Sequence, residues 1–135
     1  MRRLVTSLLV VTMVMGLSGC GQSEPEDPDL MAGQAVYAKC AVCHGREGKG
    51  GVGPALAGVI ATFPDCDTQV KWITLGSQGW KDEVGDTYGS GATPIEGSMP
   101  GFGSLSDYDR RAVAFYERVE FGGGDPAAER EACGL

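Results

Sequence analysis

The chain has 135 residues, 42% of them hydrophobic, with 18 acidic against 11 basic side chains and a formal charge of −7. That length holds one globular domain, and no repeat of solenoid period runs through it. The acidity disfavours nucleic acid and anionic lipid surfaces as partners and favours proteins that present a basic patch.

Met1-Arg2-Arg3 leads into the apolar run "LVTSLLVVTMVMGL", which is too short to cross a bilayer comfortably and sits where a secretory signal belongs. The segment that follows, "LSGC" from Leu17 to Cys20, resembles the lipobox of bacterial lipoproteins. That resemblance implies that residues 1–19 are a removable signal peptide and that Cys20 is diacylated, two acyl chains being what stable anchoring needs. An ordinary signal peptide with an incidental Cys20 is the alternative. Residues 20–29 continue as "GQSEPEDPD" after Cys20, with two prolines, four carboxylates and no large apolar residue, and read as a tether. Extended, it reaches about 30 Å. Loss of residues 1–19 removes Arg2 and Arg3 and no acidic residue, so the mature chain carries a charge of −9. The expectation is an exported protein held at the outer face of the cytoplasmic membrane or facing the periplasm, with the remaining residues, 30–135, as its folded domain.

Residues 30–39, "LMAGQAVYAK", read as a helix with Asp29 as its N-cap, and Leu30, Gly33, Tyr37 and Cys40 share one face. Then comes "CAVCH", Cys40 to His44, which holds the only histidine of the chain. Three chemistries use such a cluster: a redox-active thiol pair, half of a zinc site, and covalent attachment of a c-type haem. A zinc site would have to recruit Cys66 or Cys133 as a fourth ligand, and Cys43 and His44 are adjacent, a poor spacing for two inward-turning ligands. A thioredoxin-like motif needs a βαβ context, and no strand-like run precedes Cys40. With Cys20 assigned to lipid and Cys40 and Cys43 to the motif, Cys66 and Cys133 remain, and in an oxidising compartment they make one possible disulfide.

Further along, residues 67–75, "DTQVKWITL", read as a helix capped by Asp67 and stopped by Gly76. Residues 76–104 carry eight glycines and little periodicity, an awkward length for a loop with no structure of its own. Trp72, Trp80 and Tyr88 are candidates to line a pocket or to donate to an anionic group, with plain core as the alternative. The clearest helix is Leu105 to Phe121, with Ser106 as cap, Asp107 placed to pair with Arg111, an apolar stripe of Tyr108, Ala112, Phe115, Tyr116 and Val119, and three glycines after it.

Together these segments resemble the class I c-type cytochromes. The resemblance rests on "CAVCH", on Gly33 and Tyr37 facing a terminal helix that bears Tyr116, on "GPAL" from Gly53 to Leu56, and on "SMPGF" around Met99. It implies an all-α fold of short helices wrapped around one covalent haem c, with the N- and C-terminal helices crossing. It implies Cys40 and Cys43 as attachment points, His44 as proximal ligand with Pro54 accepting from its Nδ1, Leu56 packed on the ring, and Met99 as distal ligand. With residues 1–19 gone only Met31 and Met99 remain, and Met99 has 54 intervening residues in which to reach the face opposite His44. A six-coordinate iron leaves no open site, so the expected function is a monomeric one-electron carrier between redox proteins rather than an enzyme. A haem domain with a labile distal bond, acting as a gas sensor or haem enzyme, is the alternative.

Overall fold

The computed structural model describes residues 26–135. The expected signal peptide of residues 1–19, the expected lipidation site Cys20 and most of the segment read as a tether lie outside the described residues.

Helix α1 runs from Pro28 to Tyr37. Its cap is Asp27, whose side chain accepts from the N–H groups of Asp29 and Leu30, and Pro28 takes the first helical position, where a missing N–H costs nothing. The expected cap, Asp29, therefore lies inside the first turn, and the helix begins two residues earlier than the expected boundary at residue 30. A single turn, α2, spans Ala41–His44, and α3 spans Val59–Thr62. Helix α4 covers Cys66–Glu83 and is broken, not ended, at Gly76, whose φ is 63° and ψ −173°. Asp65 caps it in place of the expected Asp67, accepting from Thr68 N–H at 2.8 Å. Beyond Gly76 the helix resumes with Ser77 and Trp80, three residues apart, both buried.

A two-residue hairpin follows, β1 (Thr87–Tyr88) antiparallel to β2 (Thr93–Pro94). It is the only strand pairing among the described residues, so the fold is mostly helical, as expected. Helix α5, Asp107–Glu120, is capped by Ser106, and Arg111 Nε donates to Asp107 at 2.8 Å. A last helix, α6, Pro126–Ala132, repeats the Asp-Pro start of α1, with Asp125 as cap.

The core forms where α1 crosses α5. A Cβ at Gly33 would stand 2.2 Å from Ala112 O and 2.6 Å from Tyr116 Cβ, so only glycine lets the two helices approach this closely. Tyr37, Tyr116 and Phe121 close the crossing, with ring centroids 4.8 to 5.6 Å apart. Of the stripe expected on α5, Ala112, Phe115 and Tyr116 are buried, but Tyr108 is 47% exposed and donates its hydroxyl to Asp29.

Two charged residues of α5 are buried where the pattern would put them in water. Arg118 is 2% exposed; its Nη1 donates to Phe63 O at 2.7 Å and its Nη2 to Pro64 O at 3.2 Å, while Nε pairs with Glu129 of α6. The guanidinium thus satisfies the carbonyls left over where α3 runs into α4. Helix α6 is held from three sides: by Glu129, by Arg130 paired with Asp27 and Asp29, and by the disulfide between Cys133 and Cys66. That bridge spans 67 residues, and in the chain-entropy model a loop of this length contributes about 4 kcal/mol.

Candidate functional site

The motif turn is built onto the helix crossing. Tyr37 donates its hydroxyl to Gly45 O at 2.6 Å, which ties the end of α1 to the residue just past His44. Within the turn, Cys43 N–H and His44 N–H both bond to Cys40 O, at 3.1 and 2.9 Å. Both thiols therefore leave from one helical turn, and both are free. Cys40 is buried among the core residues, and burial, followed by the Glu117 carboxyl, pushes its thiol up to about 12. A redox-active thiol needs the opposite shift, toward the thiolate. The disulfide likewise removes Cys66 and Cys133 from any zinc set, and among the described residues no group of three or more His, Cys, Asp or Glu side chains converges on a metal-sized site.

Residues 45–56 fold back over the imidazole. Gly50 N–H bonds to His44 O at 2.8 Å, Gly53 N–H to Cys43 O at 2.9 Å and Leu56 N–H to Gly48 O at 2.8 Å. This brings Pro54 O to 2.8 Å from His44 Nδ1. A carbonyl only accepts, so Nδ1 is the donor, which selects the tautomer of the ring whose Nε2 is free to act as a ligand. A Cβ at Gly53 would sit 2.9 Å from His44 Cε1 and about as near both ring nitrogens, so the ring lies flat against this backbone and a side chain there would tilt it. Orientation and tautomer are set together.

Leu56 and Met99 are partly buried and pack on the same core cluster that holds Cys40. Met31, the other methionine of the described residues, is 51% exposed on α1. Trp72, Trp80 and Tyr88 gather with Phe63: Trp72 stacks on Tyr88 at 4.6 Å between centroids and meets Trp80 edge-on at 5.4 Å. Trp80 Nε1 donates to Thr87 O at 2.9 Å and is already committed within the protein.

Sequence reasoning passed over Glu117. Its carboxylate is buried, accepts from Gln69 Nε2 at 2.9 Å, and is pushed up to about 8 by burial. Folded protein thus holds a proton on Glu117 between the usual 4.5 and about 8, where the unfolded chain has released it. Stability falls as pH rises through that window, and the full penalty is present above it. Glu117→Gln keeps a group that can bond to Gln69 and removes the titration. Its gain in melting temperature should be close to zero at pH 4.5 and several degrees at pH 8.5, bounded by about 5 kcal/mol from the size of the shift. A gain independent of pH would contradict this.

A family model described as cytochrome c matches residues 30–116. The crystal structure of the c-type cytochrome XoxG from Methylobacterium extorquens AM1 is similar, with a TM-score of 0.51 and 20% identity over 78% of this chain. At that identity the likeness concerns the fold. The match covers 65% of the XoxG chain, so this chain spans slightly less than two thirds of that relative's length. No match is found among curated protein sequences.

Proposed function

The chain belongs to the cytochrome c family, whose cofactor is covalently bound haem c and whose role is electron transport, and from that premise we propose that it is a lipid-tethered, monohaem carrier of single electrons between redox proteins. The observation that carries this reading is the motif turn, where two free thiols precede an imidazole whose Nδ1 is bonded to Pro54 O.

The residues present fit the group. Cys40 and Cys43 offer two thiols from one turn, His44 offers Nε2, Met99 offers a thioether from a separate loop, and Leu56 and Met99 supply half-buried apolar surface. When bound, haem c supplies a one-electron iron couple, and a thioether opposite an imidazole favours the ferrous state relative to two imidazoles. The chain's own contribution is positional. Pro54 and Gly53 fix the plane of the imidazole, and the thiols of Cys40 and Cys43 would fix the macrocycle to the motif turn. His44 and Met99 would hold the iron through an imidazole and a thioether, and that pair would leave no ligand position for a substrate, which is why we read a carrier and not an enzyme.

Cys20 as the acylated residue gives the carrier its membrane, and the charge of −9 after loss of residues 1–19 gives it its partners, proteins with a basic docking patch. One preparation tests both parts. Potentiometric titration of the full-length holoprotein should follow a single one-electron curve, and in a detergent phase separation the wild type should enter the detergent phase while Cys20→Ser enters the aqueous phase. A wild type that partitions into water with no acyl mass removes the anchor. A titration that does not fit one electron removes the carrier.

A further inference from the structure

The break in α4 and the loop that bears Met99 are one structural unit. In an unbroken helix Ser77 N–H would bond to Ile73 O, four residues back. The turn at Gly76 separates that pair, and the Met99 loop fills the gap: Ser77 N–H donates to Met99 O at 2.9 Å, and Phe102 N–H donates to Ile73 O at 2.9 Å. Ser77 makes a second bond, its Oγ accepting from Met99 N–H at 2.8 Å. Both backbone polar groups of Met99 are therefore held by one buried residue. Two glycines permit the contact. A Cβ at Gly76 would stand 2.4 Å from Gly101 N and 2.5 Å from Met99 O, and one at Gly101 would stand 2.7 Å from Leu75 O.

Fixing the N–H and the C=O of one residue fixes the peptide planes on either side of its Cα, and so the direction of its Cα–Cβ bond. We propose that Ser77 is a positioning residue for the axial ligand: its amide and hydroxyl grip the Met99 backbone so that the thioether is presented to the iron, and they set how readily that thioether is displaced. This rests on Met99 being the distal ligand, as read above.

The test is displacement of that ligand from the ferric holoprotein by added imidazole, followed in the absorption spectrum. Ser77→Ala leaves the Met99 N–H without its partner in a buried place, a change worth a factor of about 5 to 150 in an equilibrium. The apparent imidazole affinity should therefore rise about fivefold or more. Ser77→Thr keeps the hydroxyl and should stay near wild type. Gly76→Ala, which presses on Gly101 without touching the hydroxyl, should raise the affinity as well. Val113→Ala, a fully buried change in the core cluster on which Met99 packs, touches none of the bonds between Ser77 and Met99; it lowers melting temperature by cavity formation and should raise imidazole affinity less than Ser77→Ala does. Met99→Ala separates the two claims, because it must bind imidazole more readily than wild type whatever Ser77 does. If it does not, the ligand assignment fails. If it does, and Ser77→Ala or Gly76→Ala binds like wild type, or Val113→Ala rises as far as Ser77→Ala, the positioning role is overturned.

Discussion

The Cys40→Ala/Cys43→Ala variant should lose covalent haem entirely: after denaturing electrophoresis, the haem peroxidase stain that marks the wild-type band falls to background. The turn explains the size of the effect. Both thiols leave from a turn pinned to Cys40 O, neither is in a disulfide, and Cys66 and Cys133, the remaining cysteines of the described residues, are bonded to each other and cannot substitute. Each single variant keeps one thiol on that turn and should retain a weaker band. The double variant should also be poorly folded. Residues 45–58 and 95–105 contain no helix or strand, and their side chains Leu56, Met99, Phe102 and Leu105 are only partly buried against the core, so bound haem would complete their packing. An unstained wild-type band from a host equipped for cytochrome maturation, or a stained band from the double variant, would contradict the attachment.

Gly33→Ala should destabilise the protein, against the sign that local preference gives. In a helix, alanine is favoured over glycine by about 1 kcal/mol. Here the added methyl would meet Ala112 O at 2.2 Å and Tyr116 Cβ at 2.6 Å, backbone and the root of a side chain, neither of which can swing aside. Helix α1 must then move off α5, which opens the contact among Tyr37, Tyr116 and Phe121 and pulls on the Tyr37 bond to Gly45 that holds the motif turn. Overpacking of this kind costs about 1–3 kcal/mol, more where backbone must shift. We expect a net loss of about 2 kcal/mol or more, a fall of roughly 10 °C in melting temperature for a domain of this size. A melting temperature equal to or above wild type would mean the helices do not cross this closely.

How much of this could be read beforehand depended on how local the cause was. The motif was legible because its chemistry sits in five contiguous residues. Helix α5 was legible because Ser106, the first-turn acids and the 3.6-residue period agree. Helix α1 was found, but its start was misread: Asp27 and Asp29 are equally good caps by type, and the deciding sign is Pro28, which suits the first helical position and so assigns the cap to the residue before it. The same Asp-Pro sign at Asp125-Pro126 would have disclosed α6. Other features were not legible because their causes are distant in sequence. Arg118 is buried by carbonyls of Phe63 and Pro64, some 55 residues away, and Glu117 by Gln69, 48 residues away. Gly76 reads as a helix stop, and it does break the helix. That the chain resumes helix beyond it depends on the Met99 loop taking up the freed backbone groups at Ile73 and Ser77, a contact between segments 22 residues apart.

The central claim, an iron closed on both sides by side chains of this protein, is tested most directly by adding carbon monoxide to the ferrous holoprotein and recording its absorption spectrum beside that of Met99→Ala. The account predicts an unchanged wild-type spectrum and prompt formation of the carbon monoxide complex in Met99→Ala, which should also lose the weak long-wavelength ferric band of a methionine ligand. Prompt binding by the wild type, or a Met99→Ala spectrum identical to it in both oxidation states, would contradict the account.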